Sequence, residues 1–177
     1  MKTISTEYLE LQKKLHKNPN YSLASAQYAN LIKKIFLDNN FVSISDYGAG
    51  KRNLKRELKH LGLRNFQYFP YDPAFQDDPD YFDPMPADLV CCLDVLEHIE
   101  PDYLNNVLDD LQKITINTAI FTIATCPASK FLDDGRNAHL IIKPINWWLP
   151  LLLPRFQIEY LNKIPTGFLI LLRSNSL

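Results

Sequence analysis

At 177 residues, with 46% hydrophobic and 22% charged side chains, the chain is long enough to bury a substantial core and reads as one domain. A formal net charge of -1 argues against a protein built to coat nucleic acid or an anionic membrane, since such binders carry a clear basic excess. Cys91, Cys92 and Cys126 fit neither a C-x-x-C metal site nor a disulfide framework, and no apolar run has the length of a secretory or transmembrane segment, so a cytoplasmic protein with reduced thiols is expected.

Residues 6–16 place Tyr8, Leu11 and Leu15 at helical spacing with lysines opposite, predicting a short amphipathic helix that ends near Asn18-Pro19. A loop over 21–25 leads into a second predicted helix, 25–38, with Tyr28, Leu31, Ile32, Ile35 and Phe36 on one face. The strand 41–45 then meets Asp46-Tyr47-Gly48-Ala49-Gly50-Lys51-Arg52 and a third helix, 53–61, with Leu54, Leu58 and Leu61 inward. Gly48 and Gly50 allow positive φ and close approach to a ligand, and the free amides at the helix start face whatever lies there. Asp46, at the strand's carboxyl end, can hold an ammonium or a hydroxyl. Lys51, Arg52, Lys55, Arg56 and Lys59 form a basic stripe, either a solvated face or an attractor for an anionic substrate.

Residues 66–71 read as the second strand and deliver Asp72-Pro73. Asp72 lies about 20 residues past the glycines, where an acid can accept both hydroxyls of a ribose; capping a turn before proline is the other role open to it. Residues 76–87 are acidic and proline-rich and predict a loop or a reduced strand. A buried strand over 88–93 precedes Asp94-Val95-Leu96-Glu97-His98-Ile99-Glu100-Pro101 and a helix to residue 114 with Tyr103, Leu104, Val107, Leu108 and Leu111 as its apolar face. A further strand, 118–125, is followed by a polar loop containing Arg136, Asn137 and His139, then by Trp147-Trp148 at a helix start. Strands over 156–161 and 167–173, linked by 162–166, close the chain.

Two glycines in a turn do not by themselves name a ligand. A dinucleotide site requires glycine where Asn53 stands, which counts against a nicotinamide-dependent oxidoreductase, and the P-loop pattern is absent. The segment Asp46-x-Gly48-x-Gly50-x-Arg52 resembles motif I of class I S-adenosylmethionine-dependent methyltransferases, [DE]-x-G-x-G-x-G, with Arg52 in place of the third glycine. Asp72 matches the motif II acid of that family. The string D-V-L-E-H-I-x-P after a strand beginning D-L-V is similar to its motif IV region, and the resemblance runs in order over roughly residues 20–173.

The resemblance implies an α/β, Rossmann-like, doubly wound and mostly parallel sheet with a C-terminal antiparallel strand pair. It divides residues 1–177 into a helical cap, 1–40, over a core, 41–177. It implies S-adenosylmethionine as cofactor, with Asp46, Tyr47, Gly48 and Gly50 around the methionine moiety, Asp72 and Pro73 at the ribose, and Cys92, Leu93 and Asp94 along the pocket wall. Tyr21 and Ser25, in the amino-terminal segment that relatives lay over the cofactor, either touch ligand or pack and cap.

On the acceptor side stand Asp94, Glu97, His98 and His139. If a helix begins by Asp94, the first three share one face. Some ubiquinone-pathway O-methyltransferases and small-RNA 3′-terminal 2′-O-methyltransferases hold a divalent ion with a similar E-x-x-E-H and a later histidine, so Asp94, Glu97, His98 and His139 are a metal set by that analogy. In the favoured, metal-free alternative Glu97 caps or pairs locally and His98 supports the pocket, or His98 or His139 is the general base. Arg136 and Asn137 either orient a substrate's phosphate, carboxylate or hydroxyl or make ordinary loop contacts. The function expected is methyl transfer to a small-molecule or terminal acceptor at oxygen or nitrogen, without extended nucleic-acid binding; the alternative is a non-catalytic S-adenosylmethionine or S-adenosylhomocysteine binder.

Overall fold

The computed structural model describes residues 1–19, 21 and 24–175; Ser22 and Leu23 of the predicted 21–25 loop lie outside the described residues. Helices α1 (Thr6–His16), α2 (Ala29–Asp38), α3 (Asn53–His60), α4 (Leu104–Ile114) and α5 (Ile145–Leu152) surround one sheet of six strands. These are β1 (Ser43–Tyr47), β2 (Gln67–Tyr71), β3 (Ala87–Leu93), β4 (Thr115–Ala124), β5 (Phe156–Ile164) and β6 (Gly167–Ser174), in the spatial order β2-β1-β3-β4-β6-β5. The first four are parallel, while β6 runs antiparallel to both β4 and β5. Every residue of β1 is buried, as an interior parallel strand covered on both faces requires. Ile32, Phe36, Leu54 and Leu58 of α2 and α3 cover one face of the sheet, and Leu108, Leu111, Trp148 and Leu152 of α4 and α5 cover the other.

Strand order reverses between β1 and β3, and that switch point, at the carboxyl ends of the strands, is where an open α/β sheet leaves a crevice. The turn after β1 is shaped by three left-handed residues, Gly48 (φ 77°), Gly50 (φ 50°) and Arg52 (φ 56°). A Cβ on Gly48 would stand 2.4 Å from Val95 Cγ2, so the loop after β1 sits directly against the loop after β3. Arg52 adopts at its own steric cost the conformation that glycine takes freely, roughly 1–2 kcal/mol. Its guanidinium ion-pairs with Asp80 at 2.7 Å and lies over the Tyr81 ring, tying the turn to the 76–86 segment, which forms no strand.

Several boundaries differ from the sequence reading: β1 lies two residues beyond the predicted 41–45, and a 3-10 turn, Pro101–Tyr103, precedes α4. The predicted 25–38 helix divides into a 3-10 turn, Ala24–Tyr28, and α2, with Leu31 exposed. β4 begins at Thr115, directly after α4, where the Thr115 hydroxyl donates to the Leu111 carbonyl and closes the helix. β5 continues to Ile164, pairing with Gly167, so the connection is Pro165-Thr166 alone; polar side chains on this exposed edge strand hid its length. Among the described residues no helix is long and apolar enough to cross a membrane.

Candidate functional site

A cavity of about 540 Å³ opens at the carboxyl ends of β1, β2, β3 and β4, within the range of small-ligand sites. Tyr47 and Gly48 follow from β1, Asp72 and Pro73 from β2, Leu93 and Asp94 from β3, and Ala124 from β4; Tyr8, Gln12 and His16 of α1 close another side, and His98 and His139 complete the wall. Tyr21 and Ser25 also line the cavity.

Asp72 is the organising carboxylate. It accepts the Gly50 amide at 2.9 Å on one oxygen and the Ala74 amide at 2.9 Å on the other, so it fixes the glycine turn and caps its own. Burial pushes its carboxyl above the usual range, although the neighbouring His16 and the two amides oppose that shift. A carboxylate has about four lone-pair sites, so these two bonds leave capacity for a ligand's hydroxyls.

Asp46, Gly50 and Cys92 stand behind the wall rather than on it. Gly50 acts through the amide it gives to Asp72, and Cys92 is fully buried in the core. Asp46 is 2% exposed and accepts the Tyr68 hydroxyl. Burial raises its carboxyl to about 7, the Tyr68 bond notwithstanding. The fold therefore favours the neutral acid. Stability from this group is complete below the ordinary carboxylate range and is lost as pH climbs through about 7. Asp46→Asn is expected to flatten that decline: relative to the parent it gains on the order of 2–4 kcal/mol between pH 4 and pH 8, read by denaturant unfolding. An unchanged slope would show that Asp46 ionises freely in the folded chain.

No helix begins at Asp94. The residue is left-handed (φ 55°), and the short 3-10 turn Leu96–His98 follows it. Its amide donates to the Thr122 carbonyl at 3.0 Å and its carboxylate accepts the Thr122 hydroxyl at 2.9 Å. Glu97, His98 and His139 converge without it, with one potential ligand atom from each lying within 4.8 Å of the others. Glu97 is fully buried; one oxygen accepts the Ala124 amide at 2.9 Å and the other has no hydrogen-bond partner among the described residues. Burial, with Asp94 nearby, pushes its carboxyl up to about 8.

Both imidazoles are oriented by backbone carbonyls. His98 Nδ1 lies 2.7 Å from the Ala138 oxygen and His139 Nδ1 lies 2.6 Å from the Cys126 oxygen, so each donates there and keeps its lone pair on Nε2. The rings meet edge to face at 4.7 Å. Burial lowers His98 to about 3, which keeps it neutral and a weak proton acceptor. Asn137 supports this arrangement, since its amide brackets Ala128 and its oxygen accepts the His139 amide at 2.9 Å. Arg136 is paired with Asp134 at 2.6 Å and lies over the Tyr8 ring. Neither Arg136 nor Asn137 reaches the cavity, and neither does the basic stripe at the start of α3.

Of the predicted inward face of α1, Tyr8 is buried, but Gln12 and His16 escaped the sequence reading. Its cavity side is Tyr8-Gln12-His16 rather than the leucines, and a stripe of aromatic, amide and imidazole at four-residue spacing was the available signal.

No protein-family model matches the sequence, and no curated protein matches it. Solved structures do. A Burkholderia thailandensis 1,6-didemethyltoxoflavin-N1-methyltransferase with bound 1,6-didemethyltoxoflavin and S-adenosylhomocysteine superimposes with a TM-score of 0.63 at 14% identity, over 95% of this chain and 89% of that one. An O-methyltransferase family protein from the same organism gives a TM-score of 0.64 at 11% identity, covering 96% of this chain and 59% of that one. The magnesium protoporphyrin IX methyltransferase of Synechocystis PCC 6803, with bound S-adenosylhomocysteine, gives 0.53 at 12% identity over 96% and 94%. The six-stranded sheet, with its carboxyl-end cavity and closing antiparallel pair, has the fold of the class I S-adenosylmethionine-dependent methyltransferases.

Proposed function

We propose that the protein transfers a methyl group from S-adenosylmethionine to an oxygen or nitrogen of a small-molecule or terminal acceptor. The observation that carries the reading is one cavity at the strand switch point that joins the Gly48 turn, the buried Asp72 carboxylate and the two imidazoles at 98 and 139. The chain's own groups fit the cofactor. Gly48 leaves the turn without a side chain at the wall, Asp72 retains acceptor capacity for ribose hydroxyls, and Leu93 and Tyr47 offer apolar surface. Neighbours of the same fold crystallised with S-adenosylhomocysteine support the same choice.

S-adenosylmethionine supplies an activated methyl on a sulfonium, displaced in line by the acceptor's lone pair. The protein's part is to align, to exclude water and to take a proton. His139 accepts the proton of an attacking hydroxyl or amine at Nε2 while its Nδ1–H stays on the Cys126 carbonyl. His98, held neutral, sets the position of the His139 ring at its edge. Cys91, Cys92 and Cys126 are all free thiols, which suits a reducing compartment, and we place the protein in the cytoplasm.

The test is titration calorimetry with S-adenosylhomocysteine, paired with transfer of labelled methyl from S-adenosylmethionine into a small-molecule extract. Binding with transfer is expected. Binding without transfer would make the protein a cofactor-binding module, and absence of binding would end the reading.

Glu97 favours a second reading of the same cluster. One of its oxygens has no hydrogen-bond partner among the described residues, and one potential ligand atom from each of Glu97, His98 and His139 lies within 4.8 Å of the others, a grouping that suits a shared proton or a cation. A divalent ion held by Glu97, His98 and His139 would polarise the acceptor's hydroxyl. Asp94, committed to Thr122, stands outside that set.

A further inference from the structure

Helix α1 presents polar side chains where a packing helix presents apolar ones. Two of the three are satisfied within the protein: the Tyr8 hydroxyl donates to the His98 carbonyl at 2.6 Å, and Gln12 Nε2 donates to the Tyr8 oxygen at 2.6 Å. His16 is different. Its side chain is 10% exposed, its Nδ1 is buried without a hydrogen-bond partner among the described residues, and its Nε2 stands 3.9 Å from Asp72 Oδ2, too far for a direct hydrogen bond. The ring is held in place by edge contacts, with Tyr21 at 4.9 Å and Phe75 at 5.0 Å between centroids. A buried imidazole and a buried carboxylate thus face each other across a gap on the wall of the cavity, each fixed by its surroundings and neither completing the other.

We infer that His16 is a cofactor-binding residue which, together with Asp72, receives a hydroxyl of the ligand's ribose, so that α1 belongs to the nucleoside site. The inference rests on the reading of Asp72 as the ribose acid. A hydroxyl has one proton to give and lone pairs to accept with. It donates to Asp72 Oδ2 and accepts the Nε2–H of His16. An oxygen beside the line joining the two groups lies about 2.8 Å from both, an ordinary hydrogen-bond length. Burial holds the His16 imidazole below its usual range, against the pull of Asp72, so the ring that meets the hydroxyl is neutral, with one N–H to donate. The bonds of Asp72 to the Gly50 and Ala74 amides need not break, since each oxygen keeps a second lone pair.

If instead His16 only packs between Tyr21 and Phe75, its removal affects every ligand alike. The experiment is therefore a cycle between side chain and ligand, with S-adenosylhomocysteine and its 2′,3′-dideoxy analogue titrated calorimetrically against the parent protein, His16→Ala and His16→Gln. The expected result is an approximately tenfold loss of S-adenosylhomocysteine affinity in His16→Ala, no further loss for the dideoxy analogue, and partial recovery in His16→Gln, which keeps an N–H donor. Equal losses for both ligands, or no loss for either, would overturn the inference. His16→Gln carries the same comparison if the alanine variant unfolds. Failure of the underlying reading looks different: the parent protein then binds neither ligand, or Asp72→Asn leaves S-adenosylhomocysteine affinity unchanged.

Discussion

His139→Ala lowers the rate of methyl transfer by about 10²–10⁴-fold while S-adenosylhomocysteine affinity changes little, the signature expected of a general base outside the cofactor subsite. The expectation follows from the tautomer. With Nδ1–H fixed on the Cys126 carbonyl, the only lone pair on the ring is at Nε2, and the protein aligns it without a carboxylate relay. His98→Ala has the smaller effect, because burial has already made that ring a poor base. Turnover within tenfold of the parent in both variants would remove base catalysis. Titration of the parent with Mn²⁺ or Zn²⁺ separates the two readings of the cluster. Heat of binding that disappears in His139→Ala, with turnover abolished by chelator, selects the ion; silent titration with chelator-resistant turnover selects the base.

Asp72→Asn weakens S-adenosylhomocysteine binding about 10–100-fold by calorimetry. One amide oxygen replaces two carboxylate oxygens that serve Gly50, Ala74 and, as proposed, the ribose, so the variant loses acceptors on the protein side and the ligand side together. Thermal unfolding recorded in parallel separates the contributions. A drop in midpoint with unchanged affinity would leave Asp72 as a turn cap, the competing role that its position before Pro73 already suggested.

The elements that position the cavity were readable because their signals are local. Gly48 and Gly50 mark a backbone that must turn left-handed, and the apolar run at 88–93 marks a strand buried on both faces. What the sequence could not show is direction. Asp46 and Asp94 both occupy the expected places at strand ends, yet Asp46 is turned behind the wall onto Tyr68 of the neighbouring strand, while Asp94 stays on the wall with one oxygen on Thr122. Arg136 and Asn137 are loop residues of the type that binds substrates, and local partners at 134 and 128 absorb them. The polar face of α1 was hidden for the opposite reason, since Leu11 and Leu15 share the helix and periodicity alone ranks them above Gln12 and His16.

The ties of α1 to the rest of the molecule span most of the sequence: Tyr8 reaches His98 across 90 positions, and the Ser5 amide donates to Glu100 across 95. The entropic cost of closing a loop grows only slowly with its length, so bonds across 90 positions are little harder to hold than those between the strands. One wall of the cavity is thus supplied by a segment whose anchors, His98 and Glu100, lie far away in sequence, and the pocket is complete only while those long-range bonds are made.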